Sequence, residues 1–136
     1  MKQKHFHVSI KTVDDKPLFP PTYDGQRLLF PFVTQAALRI GVLSVGFASF
    51  PTGVEVVVNC NEPAEAKNFA DALSALLYEH NNAIEHIIES FVIHIGELAD
   101  DENELGDFMM NMMMRSMVAR GELNDLSDSD DGSGKE

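Results

Sequence analysis

The sequence predicts an α+β protein: a split βαβ sheet with helices on one face, followed by a C-terminal helical extension. Three observations predict it. Residues 5–60 fall into the order strand, helix, strand, strand; an apolar stripe at helical spacing runs from Ala66 to Leu77; and a second helical series near the C-terminus ends in a run of methionines. A helix after the first strand must cross over to reach a parallel neighbour, and such crossovers are right-handed. One sheet with its helices on one face is the economical result.

The first strand spans 5–13, where Phe6, Val8 and Ile10 alternate with His5, His7, Ser9 and Lys11, the pattern of a half-buried strand. Asp14 to Gly25 contains Pro17, Pro20 and Pro21 and can form only turns and short extended pieces. Phe32, Val33, Ala36, Ala37 and Ile40 then recur at helical steps, with Pro31 suited to a first turn and Gly41 to the position past the end, so a helix is expected over 31–40. Two strand-like runs, 42–50 and 54–60, are joined by Pro51-Thr52-Gly53 as a hairpin. In the second, Val54, Val56 and Val58 share one face, and Glu55 and Val57 the other. Glu62-Pro63 opens the next helix, whose stripe is Ala66, Phe69, Ala70, Leu73, Leu76 and Leu77.

Phe32-Val33 through Leu38-Arg39-Ile40-Gly41, and Gly46-Phe47 through Pro51-Thr52-Gly53-Val54-Glu55-Val56-Val57, give residues 5–77 a pattern that resembles an acylphosphatase-type domain. The resemblance implies a ferredoxin-like fold. It also implies a glycine-rich loop with an arginine after the first strand, and an asparagine in the second strand. This chain departs at both places, with Phe30-Pro31 in the loop and Ser49 in the strand; Arg27 is the nearest arginine. The fold is expected to carry over and the chemistry is not.

Beyond Leu77, the apolar residues Ile84, Ile87, Ile88, Phe91, Val92, Ile95 and Leu98 repeat with the helical period, and no glycine or proline falls between Pro63 and Gly96. A helix over 83–95 is therefore favoured, with His80 and His94 as polar interruptions of its seam. A β-branched strand over 90–95 is the alternative. Asp101 with Glu104 reads as a capping-box variant opening a helix over 102–120, with Gly121 as its stop. Residues 1–121 read as a single domain, made of a sheet-and-helix part (5–80) and a helical section (83–120). Residues 122–136, dominated by Asp, Ser and Gly, read as a disordered acidic tail.

The formal charge is −12, and ten carboxylates separate Lys67 from Arg115 with no other basic residue between. Such a balance argues against direct nucleic-acid contact, which relies on clustered Lys and Arg. No apolar run approaches the roughly 18 residues of a membrane span. The lone Cys60 fits a reducing compartment, and a cytoplasmic location is expected.

Chemistry-bearing patterns are sparse. His7-Val8-Ser9 matches half of the paired His-x-Ser/Thr pattern of two-histidine phosphoesterases, but no second copy exists. His86 with Glu89, or His94 with Glu97, gives two metal ligands, too few for a site. Neither a nucleophile elbow nor a phosphate-cradling glycine loop is present. No enzyme activity, cofactor or metal is expected.

The expected function is a non-enzymatic, acidic protein-binding module, an inhibitor or adaptor that meets a basic, nucleic-acid-handling protein, as many small virus-encoded proteins do. Phe108, Met109, Met110, Met112, Met113, Met114 and Met117 are the expected partner-binding residues, since methionine adapts to irregular surfaces. Glu85, Glu89, Glu97, Asp100, Asp101, Glu102, Glu104 and Asp107 are the expected acidic face. The alternatives are an assembly subunit that homo-oligomerises through the Met-rich helix, and a degenerate acylphosphatase-like hydrolase.

Overall fold

The computed structural model describes residues 4–13, 15–20, 24–86, 88–99 and 101–121. The elements follow one another as β1 (Lys4–Thr12), α1 (Gly25–Ile40), β2 (Leu43–Phe50), β3 (Gly53–Cys60), α2 (Pro63–Ala83), β4 (Phe91–Glu97) and α3 (Glu102–Ala119). The sheet order is β2-β3-β1-β4, with every neighbouring pair antiparallel. This is the α+β split βαβ plan, with β3 inserted between β1 and β2, and β1 between β3 and β4.

The alternation in β1 decides how the sheet is buried. Phe6, Val8 and Ile10 are at most 1% exposed and join Val54, Val56 and Val58 in one core. Leu29, Val33 and Ala36 of α1, and Phe69, Leu73 and Leu77 of α2, close that core from above. Pro63 opens α2, and the Glu65 carboxylate accepts the N–H groups of Asn61 and Glu62. α3 lies on the opposite face, where Met112, Ala48 and Val57 form a second, smaller cluster. Asp101 caps α3 by accepting the Asn103 and Glu104 N–H groups.

Two elements differ from the sequence expectation. α1 begins at Gly25, capped by Asp24, so Pro31 sits inside the helix instead of in its first turn. Burial of Leu29 against the core outweighs the hydrogen bond that Pro31 forfeits.

The second difference is larger. Residues 83–95 are not a helix: α2 stops at Ala83 and 91–97 form β4. The stop is built from the buried Asn81, whose side-chain amide donates to the Leu18 carbonyl at 2.9 Å while its backbone carbonyl accepts His86 N–H. Glu85 then turns the chain with a left-handed φ of 62°. β4 pairs with the outer backbone groups of β1 and becomes the edge of the sheet. It pairs from Phe6↔Glu97 to Thr12↔Phe91, and packs Phe91, Ile93 and Ile95 against the core. Phe91 and Ile95 satisfy both periods, which is why the helical count was misleading. The seam through His80 and His94 therefore does not exist. His80 lies on α2 between the rings of Phe19 and Phe32, and His94 is on the opposite face of the sheet.

The β2–β3 turn tolerates only glycine at 53. A Cβ there would run into the Ile10 carbonyl oxygen and come within 3.0 Å of Lys11 Cα. Gly53→Ala is expected to cost about 2 kcal/mol in urea unfolding with the m-value unchanged. A loss below about 0.5 kcal/mol, the range of a neutral surface change, would contradict that close approach.

Candidate functional site

Strand alternation sends the polar half of β1 to the α3 side of the sheet. His5, His7, Ser9 and Lys11 lie there beside Glu55, Val57 and Asn59 of β3 and His94 of β4. α3 packs chiefly on β2, so the β1–β4 half of this face stays open. His94 is exposed.

Glu55 is the centre of this face. His7 Nε2–H donates to its Oε1 at 2.9 Å, and Arg115 of α3 donates through both terminal nitrogens, at 3.0 and 3.2 Å. Arg115 is itself held from the other side, with its Nε–H on Asn111 Oδ1 at 2.9 Å and its guanidinium 5.5 Å from the centroid of the Phe50 ring. His7 packs edge-on against Phe108 at 4.9 Å. Burial is the largest single effect on the Glu55 carboxyl and opposes its ionisation. The hydrogen bonds and charges of His7 and Arg115 together outweigh it, lowering the pKa from 4.5 to about 2.

Two clefts flank this arrangement. One, of about 310 Å³, lies over Ser9, Lys11 and Glu55 and is walled by Phe50 and Arg115. The other, of about 420 Å³, lies between the Pro17–Pro20 loop, the start of α1 and Arg120. Phe50, Pro51 and Ala119 line both. The charged residues of the two linings are Lys11, Arg115 and Arg120 against Asp24 and Glu55, three cations to two carboxylates.

The expected partner-binding residues divide between two sides of α3. Met112 is fully buried, and Phe108, Met109 and Met117 are half-buried. Met110, Met113 and Met114 are 64%, 48% and 38% exposed. Met113 is thus turned outward with Met110 and Met114. The acidic residues do not form one face. Glu85 and Glu89 precede β4 at one end of the sheet, while Glu97, Asp101, Glu102, Glu104 and Asp107 gather at the other. The length of β4, about 20 Å, separates the two groups. Asp100 and the 122–136 tail lie outside the described residues.

Cys60 is a free, buried thiol. Burial pushes its pKa up, and its Sγ–H donates to the Glu62 carbonyl. Among the described residues no group of three or more His, Cys, Asp or Glu could hold a metal ion.

Sequence reasoning passed over Glu55 and Arg115. Each had a signal: a lone carboxylate in the apolar run from Val54 to Val58, and a lone cation closing a long acidic stretch.

No protein-family model and no curated protein matches the sequence. Solved structures do resemble it. One is described as a "putative transposase" from Deinococcus radiodurans R1, with a TM-score of 0.53 and 10% identity, covering 83% of this chain and 93% of that one. Another is a REP-associated tyrosine transposase bound to a REP hairpin, with a TM-score of 0.48 and 9% identity, covering 90% of this chain and 72% of that one. The first likeness is one of fold.

That likeness corrects three expectations: a non-enzymatic acidic protein-binding module with its alternatives, the absence of enzyme activity, and the absence of direct nucleic-acid contact. Net charge was the argument against nucleic-acid contact and for a basic partner, and missing motifs were the argument against an enzyme, whereas the fold is one found in a protein described as a putative transposase. The physical reason is distribution. A charge of −12 is a sum over the chain, whereas the two clefts are lined by more cations than carboxylates.

The Glu55 contacts carry a pH dependence of known sign. The carboxyl has a lower pKa folded than unfolded, so its contribution is complete above about pH 5 and is lost as pH falls towards 2. The shift corresponds to about 3 kcal/mol, reduced to roughly 1–2 kcal/mol by solvent around the half-exposed Arg115. Glu55→Gln is expected to flatten the stability profile between pH 5 and about 2 in urea titrations. An unchanged profile would show that Glu55 is not the group responsible.

Proposed function

We propose that this chain handles DNA, seating a strand on the open half of the sheet beside the C-terminal end of α3. The observation that carries the reading is the lining of the paired clefts, where three cations face two carboxylates, with the exposed Lys11 4.0 Å from Asp15. Glu55 is held by His7 and Arg115, and Asp24 by the Arg27 N–H. The likeness in fold to a protein described as a putative transposase supports the same class of ligand.

Lys11 meets the phosphodiester backbone, with Arg115 behind it as a fixed positive charge. Phe50 supplies a flat surface on which a base can stack, and Ser9 and His94 offer further hydrogen-bonding groups. Chemistry on the strand would draw on the His7–Glu55 pair, in which the carboxylate orients the imidazole as a proton carrier.

The test is fluorescence anisotropy of a labelled single-stranded oligonucleotide at a series of salt concentrations. Binding in the ~10⁻⁴–10⁻⁶ M range is expected, weakening as salt rises. Lys11→Ala should weaken binding alike for all sequences and reduce the slope of log K against log salt by about 0.7. Absence of binding at low salt, or a Lys11→Ala slope equal to that of the wild type, would overturn the reading.

A further inference from the structure

The larger cleft is lined differently from the smaller one beside it. Pro17 and Pro51 line it with Phe19, which is 6% exposed, and Phe50 forms the wall shared with the neighbouring cleft. Its charged groups are Asp24 and Arg120. Arg120 is braced by donating Nε–H to Ser116 Oγ at 3.0 Å, and the Ser116 hydroxyl in turn donates to the Ser49 carbonyl. Asp24 uses Oδ1 to accept the Arg27 N–H at 3.2 Å. A carboxylate has about four acceptor positions, so this cap leaves Asp24 able to accept more hydrogen bonds.

We propose that this cleft binds an unstacked guanine, the base adjoining the strand segment seated over Lys11; the inference rests on the DNA-handling reading. The volume of about 420 Å³ admits a purine with room to spare. Proline and phenylalanine side chains offer apolar and aromatic surface for stacking, which favours any base. Asp24 makes the choice among bases. Guanine presents two parallel donors, N1–H and N2–H, and a carboxylate accepts both at once. Adenine and cytosine present one amino donor beside a ring nitrogen acceptor, and thymine one N–H between two carbonyls; each sets a lone pair against the carboxylate. Arg120, across the cleft, matches guanine O6 or the attached phosphate.

The experiment compares thymidine oligonucleotides carrying one central guanine, inosine or adenine, binding to the full chain by anisotropy. Guanosine monophosphate is added alone in parallel, with the Gly25 and Phe50 amides followed by NMR. The guanine strand is expected to bind about tenfold more tightly than the inosine strand, which lacks the N2 amino group, or the adenine strand. Asn caps helices as well as Asp does, so Asp24→Asn should keep the fold. It should abolish the guanine preference, so that the guanine, inosine and adenine strands bind this variant alike.

Equal binding of the three strands would overturn the guanine site and leave the strand-binding reading intact. If no strand binds, yet guanosine monophosphate shifts the Gly25 and Phe50 amides in the wild type and not in Asp24→Asn, the site stands with a free guanine nucleotide as its ligand, and the strand reading fails. If no strand binds and those amides do not move, both fail.

Discussion

The three-way contact of His7, Glu55 and Arg115 ties the second half of α3 to the polar face of the sheet. Its members come from β1, β3 and α3, and Arg115 is 60 residues from Glu55 in sequence. α3 rests on a small cluster around Met112, Ala48 and Val57, thinner than the core beneath α1 and α2. Apolar contact alone would let a methionine-rich helix settle in several ways, because methionine fills irregular space without a preferred fit. A bidentate arginine–carboxylate pair has one good geometry. The pair therefore fixes where the second half of α3 lies, and with it the walls of both clefts. The half-buried carboxylate remains ionised because His7 and Arg115 together outweigh its loss of water.

The same helix shows why overall charge is a poor guide to this protein. Its first half carries Glu102, Glu104 and Asp107, its second half Arg115, and Arg120 caps its end. Acids near a helix N-terminus are favoured by the macrodipole, so part of the acidity follows from how the helix begins. Six further carboxylates fall in residues 122–136. From Gly25 to Val54 the chain has no carboxylate at all, and this stretch supplies Ser49, Phe50, Pro51, Thr52 and Gly53 to the clefts. A strand of nucleic acid responds to the potential within about a Debye length, roughly 8–10 Å at ordinary salt, and not to a sum over the whole chain.

Much of the architecture was legible because the signals were local and agreed with one another. Alternation in β1, the Pro-Thr-Gly turn and the stripe of α2 each involve neighbours in sequence. β4 was half legible: the β-branched run over 90–95 gave a strand as the alternative, but the pairing with β1 that decides for it is not visible in any count along 83–95. Asn81 was likewise opaque, since its role depends on the Leu18 carbonyl 63 residues away. The site was missed for a related reason. Glu55 and Arg115 are ordinary singly, and become a site when the hairpin and α3 bring them within 3.0 Å. The methionines drew attention through their number, although Met112 is the one that is fully buried.

The proposed path of the nucleic acid covers the open face of the sheet beside α3 and the clefts next to it, and leaves the solvent side of α2 free. Amide chemical-shift mapping of the full chain with a single-stranded oligonucleotide tests it most directly. The account predicts perturbations concentrated at Ser9, Lys11, Phe50, His94 and Arg115, with the solvent side of α2 around Lys67 and Asp71 unmoved. Perturbations centred on α2, or spread evenly over the surface, would contradict it.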